Sequence, residues 1–235
     1  MSLRTFIFFP LIINSCHEIP RAQDMIASLK HTFRCSLILL CIVFLSPGCA
    51  YREPPESPDD ICGIFRERRG WYDEAHDSSR RWGVPIHVMM AIMRQESSYR
   101  ARAKPPRTTC LWVFPGPRLS SAYGYAQALD STWDWYKRST GNRGADRNDF
   151  GDAIDFIGWY CGISKVKCGI AADDAYRMYL AYHEGHGGYN RRSYAGKTWL
   201  LNVARKVHVR SRSYQRQLAS CEAEFRRRGF CLWPF

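Results

Sequence analysis

The chain has 235 residues, of which 46% are hydrophobic, and this length and composition suffice for one substantial domain with a packed core. A wholly disordered chain is therefore not expected. Lys and Arg outnumber Asp and Glu by 34 to 22, so the net charge of +12 favours an anionic partner: a nucleic acid, an anionic membrane or an acidic cell-wall polymer.

The first 48 residues predict an export signal. The run CSLILLCIVFL, residues 35–45, is strongly apolar but too short to span a bilayer as a helix. It follows the basic residues Lys30 and Arg34 and ends in the small-residue sequence SPGCA, which is the pattern of a secretion signal and its cleavage zone. A buried core helix is the alternative interpretation.

The Gly48-Cys49 step resembles the cleavage site of bacterial lipoprotein signals, whose cysteine is acylated and becomes the first mature residue. Such signals usually carry Leu three places before the cysteine, where this chain has Ser46. The resemblance implies a lipid anchor at Cys49. Residues 51–58 are Pro-rich and polar, which suits a short extended tether, so residues 49–58 are interpreted as a lipid-anchored tether. With Ala50 beside the anchor, the resemblance implies a periplasmic protein held at the inner face of the outer membrane.

Residues 1–24 are interpreted separately. Export signals begin close to the start of translation, so we hypothesise that translation begins at Met25 and that residues 1–24 are an upstream extension. Residues 59–235 then form the folded domain, with a basic helical extension at its C-terminal end.

Six cysteines follow Cys49, an even number that suits disulfides in an oxidising compartment such as the periplasm. If Cys49 carries the lipid, these six can form three disulfides. Cys161 with Cys168 and Cys221 with Cys231 are plausible local pairs, although the sequence does not fix the connectivity. A zinc site is the competing interpretation, but the sequence contains no CxxC pair.

The pattern of the domain is mainly α-helical with long loops. Asp59 or Asp60 can cap a first helix, in which Gly70 weakens continuity, and Gly83-Val84-Pro85 separates it from the next. Four prolines within residues 101–121 predict an irregular loop, and the glycines after Glu184 predict a helix end there. The further helices are predicted over residues 86–98, 131–139, 149–164, 173–184 and 197–218.

Glu96 is the candidate for chemistry, because it closes the apolar run from Val88 to Met93. A carboxylate at the mouth of an apolar helix loses hydration, which raises its pKa and can keep it protonated near neutral pH as a general acid. A solvated glutamate at a helix end is the alternative.

Three short stretches occur in order: Gln95-Glu96-Ser97, Gly124-Tyr125-Ala126-Gln127, and Ala181-Tyr182-His183-Glu184-Gly185. Together with the Gly83-Val84-Pro85 lead-in, they resemble the signature of bacterial lytic transglycosylases of the soluble type, which share a goose-type lysozyme-like fold. The resemblance covers roughly residues 80–205. Tyr125-Ala126 replaces Leu-Met, His183 replaces Asn, and the insertion at 101–119 is longer than typical.

The resemblance implies that Glu96 is the catalytic acid and base, and that Tyr182 donates a hydrogen bond that positions it. Glu96 would protonate the glycosidic oxygen between N-acetylmuramic acid and N-acetylglucosamine, then take the C6 hydroxyl proton as a 1,6-anhydro sugar closes. No cofactor is needed. The predicted substrate-binding residues are Ser97, Tyr125, Gln127, His183 and Glu184.

Other interpretations stay open. His183 and His186 flank Glu184, yet they are three apart rather than four, which disfavours a metalloprotease site, and we expect no metal. Glu184 as a second acid in the cleft would favour a hydrolytic muramidase. A silent wall-binding lipoprotein is the rival interpretation from another class, because Tyr125, Ala126 and His183 depart from the signature.

The segment after Gly187 is strongly basic, with eleven Lys or Arg against two acids. Export disfavours nucleic acid as its partner. A solvated helix face is the other interpretation. We expect peptidoglycan strands and, through the anchor, a membrane as partners of a monomer.

Overall fold

The computed structural model describes residues 53–110 and 114–226, which fall within one compact unit, Arg52–Phe235. This part of the chain folds into seven helices and one two-stranded hairpin, and so confirms the prediction of a mainly α-helical domain. The strands are β1 (Arg107–Cys110) and β2 (Phe114–Arg118). The helices are α1 (Ile61–Glu67), α2 (Trp71–Trp82), α3 (Ile86–Ser97), α4 (Asp130–Thr140), α5 (Phe150–Cys168), α6 (Ala175–Asn190) and α7 (Thr198–Arg226).

Short polar side chains and glycines set the helix boundaries. Asp60 begins α1 by accepting a hydrogen bond from the Cys62 backbone N–H, and Asp149 and Asp174 cap α5 and α6 in the same way. Gly83 ends α2 at a φ of 64°, a left-handed conformation that costs glycine little. The predicted break at Gly83-Val84-Pro85 therefore coincides with a real helix end. Where one first helix weakened at Gly70 was predicted, the structure has two helices, α1 and α2, and Gly70 precedes the second.

Helix α3 is the centre of the domain. Every residue from Ile86 to Met93 is buried, which is the pattern of a helix enclosed on all sides rather than one with a single apolar face. It contacts α2, α5, α6 and α7. The C-terminal end of α3, which carries Glu96, is thereby fixed by packing, and truncating a core residue such as Met90 to Ala would cost about 2–5 kcal/mol.

The ends of α6 and α7 differ most from prediction. Helix α7 continues to Arg226, eight residues past the predicted end at 218, and keeps Cys221 and Phe225 buried. Helix α6 continues to Asn190 past the glycines that were expected to end it. Gly185 adopts φ 73° and ψ 159°, which breaks the helix at one residue, after which the chain resumes helical geometry. The glycine therefore makes a kink instead of a helix end.

The segment 101–121 is not wholly an irregular loop, so that prediction is wrong in part. Strands β1 and β2 pair antiparallel, with Arg107 opposite Arg118 and Cys110 opposite Phe114. In a two-stranded hairpin each strand has an outer edge where no ladder hydrogen bond is required, and β2 can therefore contain Pro115 and Pro117.

Among the described residues, a disulfide between Cys62 and Cys221 joins α1 to α7 across 159 residues. Both predicted local pairs are wrong: Cys221 bonds to Cys62, and Cys161 and Cys168 are free. Because Cys161 and Cys168 lie seven residues apart on α5, their Cα atoms are about 10 Å apart, beyond the reach of a disulfide.

Residues 53–58 pack on the domain. The Glu53 carbonyl accepts a hydrogen bond from Arg68 (2.6 Å), the Pro58 carbonyl accepts one from the Tyr214 hydroxyl, and Pro55 is buried. The predicted signal, Cys49 and the first part of the tether lie outside the described residues. Within the ranges 53–110 and 114–226, every helix falls short of the length or the apolar character that a membrane span requires.

Candidate active site

A groove of about 370 Å³ brings together residues from the three sequence stretches. Glu96 comes from the end of α3, Gln127 from the loop before α4, and Tyr182 to Gly185 from the kinked part of α6. Phe156 and Tyr160, four residues apart on one face of α5, add an aromatic wall. The groove therefore places Glu96 beside an apolar surface, with a second acid, Glu184, and other polar groups at its margin.

Glu96 is partly accessible through the groove and is otherwise surrounded by protein. Burial raises the pKa of its carboxyl to about 7, and the Tyr179 hydroxyl, its hydrogen-bond partner, opposes part of that rise. The direction agrees with the expectation from the apolar run. A carboxyl with this pKa is present in both protonation states near neutral pH. Such a pKa suits a group that gives a proton in one step and takes one in the next.

The hydroxyl that hydrogen-bonds to Glu96 belongs to Tyr179, so the predicted hydrogen bond from Tyr182 to Glu96 is wrong. The Tyr182 hydroxyl instead donates to the Ala126 carbonyl at 2.7 Å. Burial raises the pKa of Tyr182 well above its usual value, and the nearby Glu96 adds to the shift. Tyr182 therefore joins α6 to the 124–127 loop close to Glu96.

The 124–127 loop is held rigidly. Gly124 has a φ of 80°, and a Cβ at this position would lie 2.0 Å from the Arg147 carbonyl oxygen, so only glycine fits. Gln127 also has a positive φ, and its Nε2 donates to the carbonyls of Ala103 and Gly124 at 3.0 and 2.9 Å. These bonds leave the Gln127 side chain fixed at the groove.

Two predicted substrate contacts are wrong. Tyr125 is 1% exposed and packs edge-to-face against Trp71 and Phe150, so it belongs to the core. Ser97 is also 1% exposed, and its hydroxyl donates to the Met93 carbonyl one turn earlier on α3. Neither side chain lines the groove.

His183 and Glu184 do line the groove, but Glu184 is already bound. Its carboxylate is 3.1 Å from His183 Nδ1, accepts from Lys197 Nζ at 2.8 Å on both oxygens, and accepts from the Ser193 hydroxyl. Burial alone would raise the pKa of Glu184, yet these partners outweigh it, Lys197 first, and lower the pKa to about 2. Glu184 is therefore an ionised, occupied carboxylate.

A family model for the transglycosylase SLT domain matches residues 37–221. The chain belongs to this family. The SLT domain family acts on peptidoglycan, which makes peptidoglycan the substrate of this chain. Comparison with curated proteins gives no match.

In this SLT domain, motif spacing alone did not reveal Tyr179. It stands one helical turn before Tyr182 on α6, so it faces the same side of the helix, and that periodicity was the available signal. Phe156 and Tyr160 were likewise missed, because the predicted helix 149–164 was interpreted through the face that carries Phe150, Ile154, Ile157 and Cys161.

The second histidine of the α6 pair has another role. His186 Nε2 lies 3.0 Å from the Ser164 hydroxyl, and the imidazole stacks on the Tyr160 ring at 4.4 Å. Among the residues that the structure describes, no group of three or more His, Cys, Asp or Glu is placed to hold a metal ion. His186 supports the aromatic wall behind the groove.

Proposed function

We propose that this SLT domain is a lytic transglycosylase that cleaves the bond between N-acetylmuramic acid and N-acetylglucosamine and leaves a 1,6-anhydro end. Glu96 serves as general acid and then as general base. The observation that supports this most directly is a single groove carboxyl whose pKa, about 7 through burial, suits both tasks.

In the first step, protonated Glu96 gives its proton to the glycosidic oxygen as the C1–O bond breaks. The sugar's own N-acetyl carbonyl shields the cation that develops at C1, so a second enzymic carboxylate is not needed. The apolar wall of Phe156 and Tyr160 excludes water from the reacting centre.

In the second step, the Glu96 carboxylate removes the proton from the C6 hydroxyl, and the C6 oxygen bonds to C1. This closes the anhydro ring and returns Glu96 to its protonated form, so the proton balance is zero over the cycle. Between the steps Glu96 is charged in a dry site. The hydrogen bond from Tyr179 stabilises that charge, because it lowers the pKa of Glu96.

A muramidase on this scaffold that uses a second acid would need Glu184 to activate water. Glu184 is the other acid in the groove, but a carboxylate with a pKa near 2 that is held by Lys197 and Ser193 is a poor base. This argues for the transglycosylase over the muramidase.

The departures from the family signature also bear on the silent-lipoprotein alternative. At position 126 it is the backbone carbonyl that holds Tyr182, and the side chain at 125 packs in the core. Replacement of Leu-Met by Tyr125-Ala126 therefore does not dismantle the surroundings of Glu96, which favours an active enzyme.

We further propose that the protein is a periplasmic monomer, anchored by a lipid on Cys49 at the inner face of the outer membrane. The SPGCA sequence supports this proposal. Labelling of cells with a radioactive fatty acid tests it: the wild-type chain should incorporate label, and Cys49→Ser should not. Equal labelling of the two chains would refute the anchor.

Product analysis tests the reaction. Purified sacculi are digested with the protein, and the released muropeptides are identified by mass spectrometry. We expect 1,6-anhydro products, which are one water lighter than the reducing-end products of a muramidase. Glu96→Gln should release about a hundredfold less, or lower still. Asp77→Asn, which changes an exposed acid on α2, is the matched control and should release as much as the wild type.

A further inference from the structure

An exposed tryptophan lies at the edge of the groove. Trp199, on the first turn of α7, leaves 55% of its surface exposed, although its large apolar ring would gain from burial. Its ring meets the His183 imidazole edge-to-face, with the centroids 5.2 Å apart. His183 in turn lines the groove. The two rings therefore continue the groove wall outward toward α7.

The position of this aromatic pair is fixed by a buried carboxylate. Glu184 is 4% exposed, and it holds His183 through Nδ1 on one side and Lys197 on the other. Lys197 lies just before α7 and two residues before Trp199, and its carbonyl accepts from the Leu200 N–H at 2.8 Å. Glu184 thus ties the start of α7 to the kink of α6, so the two rings keep a constant geometry.

The same contacts leave a polar group beside the rings. Because His183 Nδ1 faces a carboxylate, Nδ1 carries the proton in the neutral imidazole, and Nε2 is then an acceptor. An exposed aromatic face beside a hydrogen-bond acceptor matches a pyranose ring, which has an apolar C–H face and hydroxyl groups around its edge. Leu129, which lines the groove and is 44% exposed, adds further apolar surface.

We propose that Trp199 and His183 form a binding platform for a pyranose ring of the glycan strand, beyond the sugar that reacts at Glu96. The platform rests on the proposed function only in that the ligand is the glycan; it binds sugar whether or not the bond is cleaved. Trp199 therefore helps to set how many sugar units of the strand the groove binds.

Binding to the full chain carrying Glu96→Gln tests the platform without turnover. The probe is the β-1,4-linked tetramer of N-acetylglucosamine, titrated by calorimetry. In this background, Trp199→Ala should weaken binding about tenfold, which corresponds to about 1.4 kcal/mol, and Trp199→Phe should retain most of the affinity. Val209→Ala changes an exposed apolar residue on the same helix and should bind like the parent.

Circular dichroism checks that each variant is folded. Unchanged affinity in folded Trp199→Ala would overturn the proposal, and so would a parent chain that does not bind the tetramer. Trp199 fluorescence gives a second readout: the emission of the parent should shift on binding, and the shift should shrink in Trp199→Phe. Failure of the proposed function is distinguishable, since it would show as retained sacculus cleavage by Glu96→Gln, measured separately.

Discussion

Two glutamates line the same groove and have opposite chemistry. Glu96 sits against an apolar wall with a tyrosine hydroxyl as its partner, and burial raises its pKa to about 7. Glu184 lies on α6 and is held by Lys197, Ser193 and His183, and these partners lower its pKa to about 2. Burial dominates at Glu96, where one hydroxyl opposes it, whereas the charges and hydrogen bonds of its partners outweigh burial at Glu184. The result is a proton carrier at Glu96 and a fixed anion at Glu184.

The largest expected difference between the two is in the reaction rate. Glu96→Gln removes the proton carrier and should lower the rate of anhydro-product release by about a hundredfold or more. Glu184→Gln keeps its shape but loses the ion pair, and should lower the rate only a few-fold through a less ordered His183. Initial rates on purified sacculi measure both. Equal losses of rate in the two variants would contradict the different roles assigned to Glu96 and Glu184.

The pH dependence of stability should also differ in sign. The pKa of Glu96 is raised above its ordinary value of 4.5, so its protonated form is favoured by folding, and its contribution to stability is lost as pH rises from about 4.5 through 7. Glu96→Gln should therefore increase the free energy of unfolding at pH 8 by about 1–3 kcal/mol. Urea denaturation at pH 5 and pH 8 measures it.

Glu184 has the opposite dependence. Its pKa is lowered, so its contribution is present above 4.5 and is lost as pH falls toward 2. Lys197→Met should lower the free energy of unfolding at pH 7 by about 1–2 kcal/mol, a modest figure because the Lys197 side chain is partly exposed. The deficit should shrink at acid pH. A pH-independent deficit would show that packing, not charge, is what Lys197 supplies.

The smallest effect concerns Tyr179. Tyr179→Phe removes the hydrogen bond that favours the Glu96 carboxylate, so the pKa of Glu96 should rise. The falling alkaline limb of the kcat/KM profile should then move to higher pH, with a change of only a few-fold in rate at pH 7. Tyr194→Phe, outside the groove, is the control. An unmoved limb with a lower rate would make the role of Tyr179 purely structural.

The sequence predicted the scaffold of the site better than its contacts. The apolar run from Val88 to Met93 is a local pattern that specifies a core helix, and it correctly put Glu96 at the end of α3. Gln127 and Tyr182, which the signature named, both line the groove in the structure, and the sugar contact of Gln127 stays a prediction.

A signature gives positions but not the directions in which side chains point. Ser97 follows Glu96 by one residue and so lies about 100° around the helix, in the core. The helical period places Tyr179 on the same side of α6 as Tyr182, but its hydrogen bond to Glu96 depends on a contact between distant elements. The Cys62–Cys221 bond also joins distant elements, and periodicity contains neither contact. The α6 kink was missed because glycines stop most helices but can also interrupt one that tertiary packing then continues.

The bond between Cys62 and Cys221 has a consequence for proteolysis. A single protease cut in the hairpin, between Arg107 and Arg118, divides the domain into a fragment with α1 to α3 and a fragment with α4 to α7. Glu96 is on the first fragment, and Tyr179 and Tyr182 are on the second. Because one cysteine of the pair is on each fragment, the nicked protein stays covalently whole until a reductant is added, with both parts of the groove still joined.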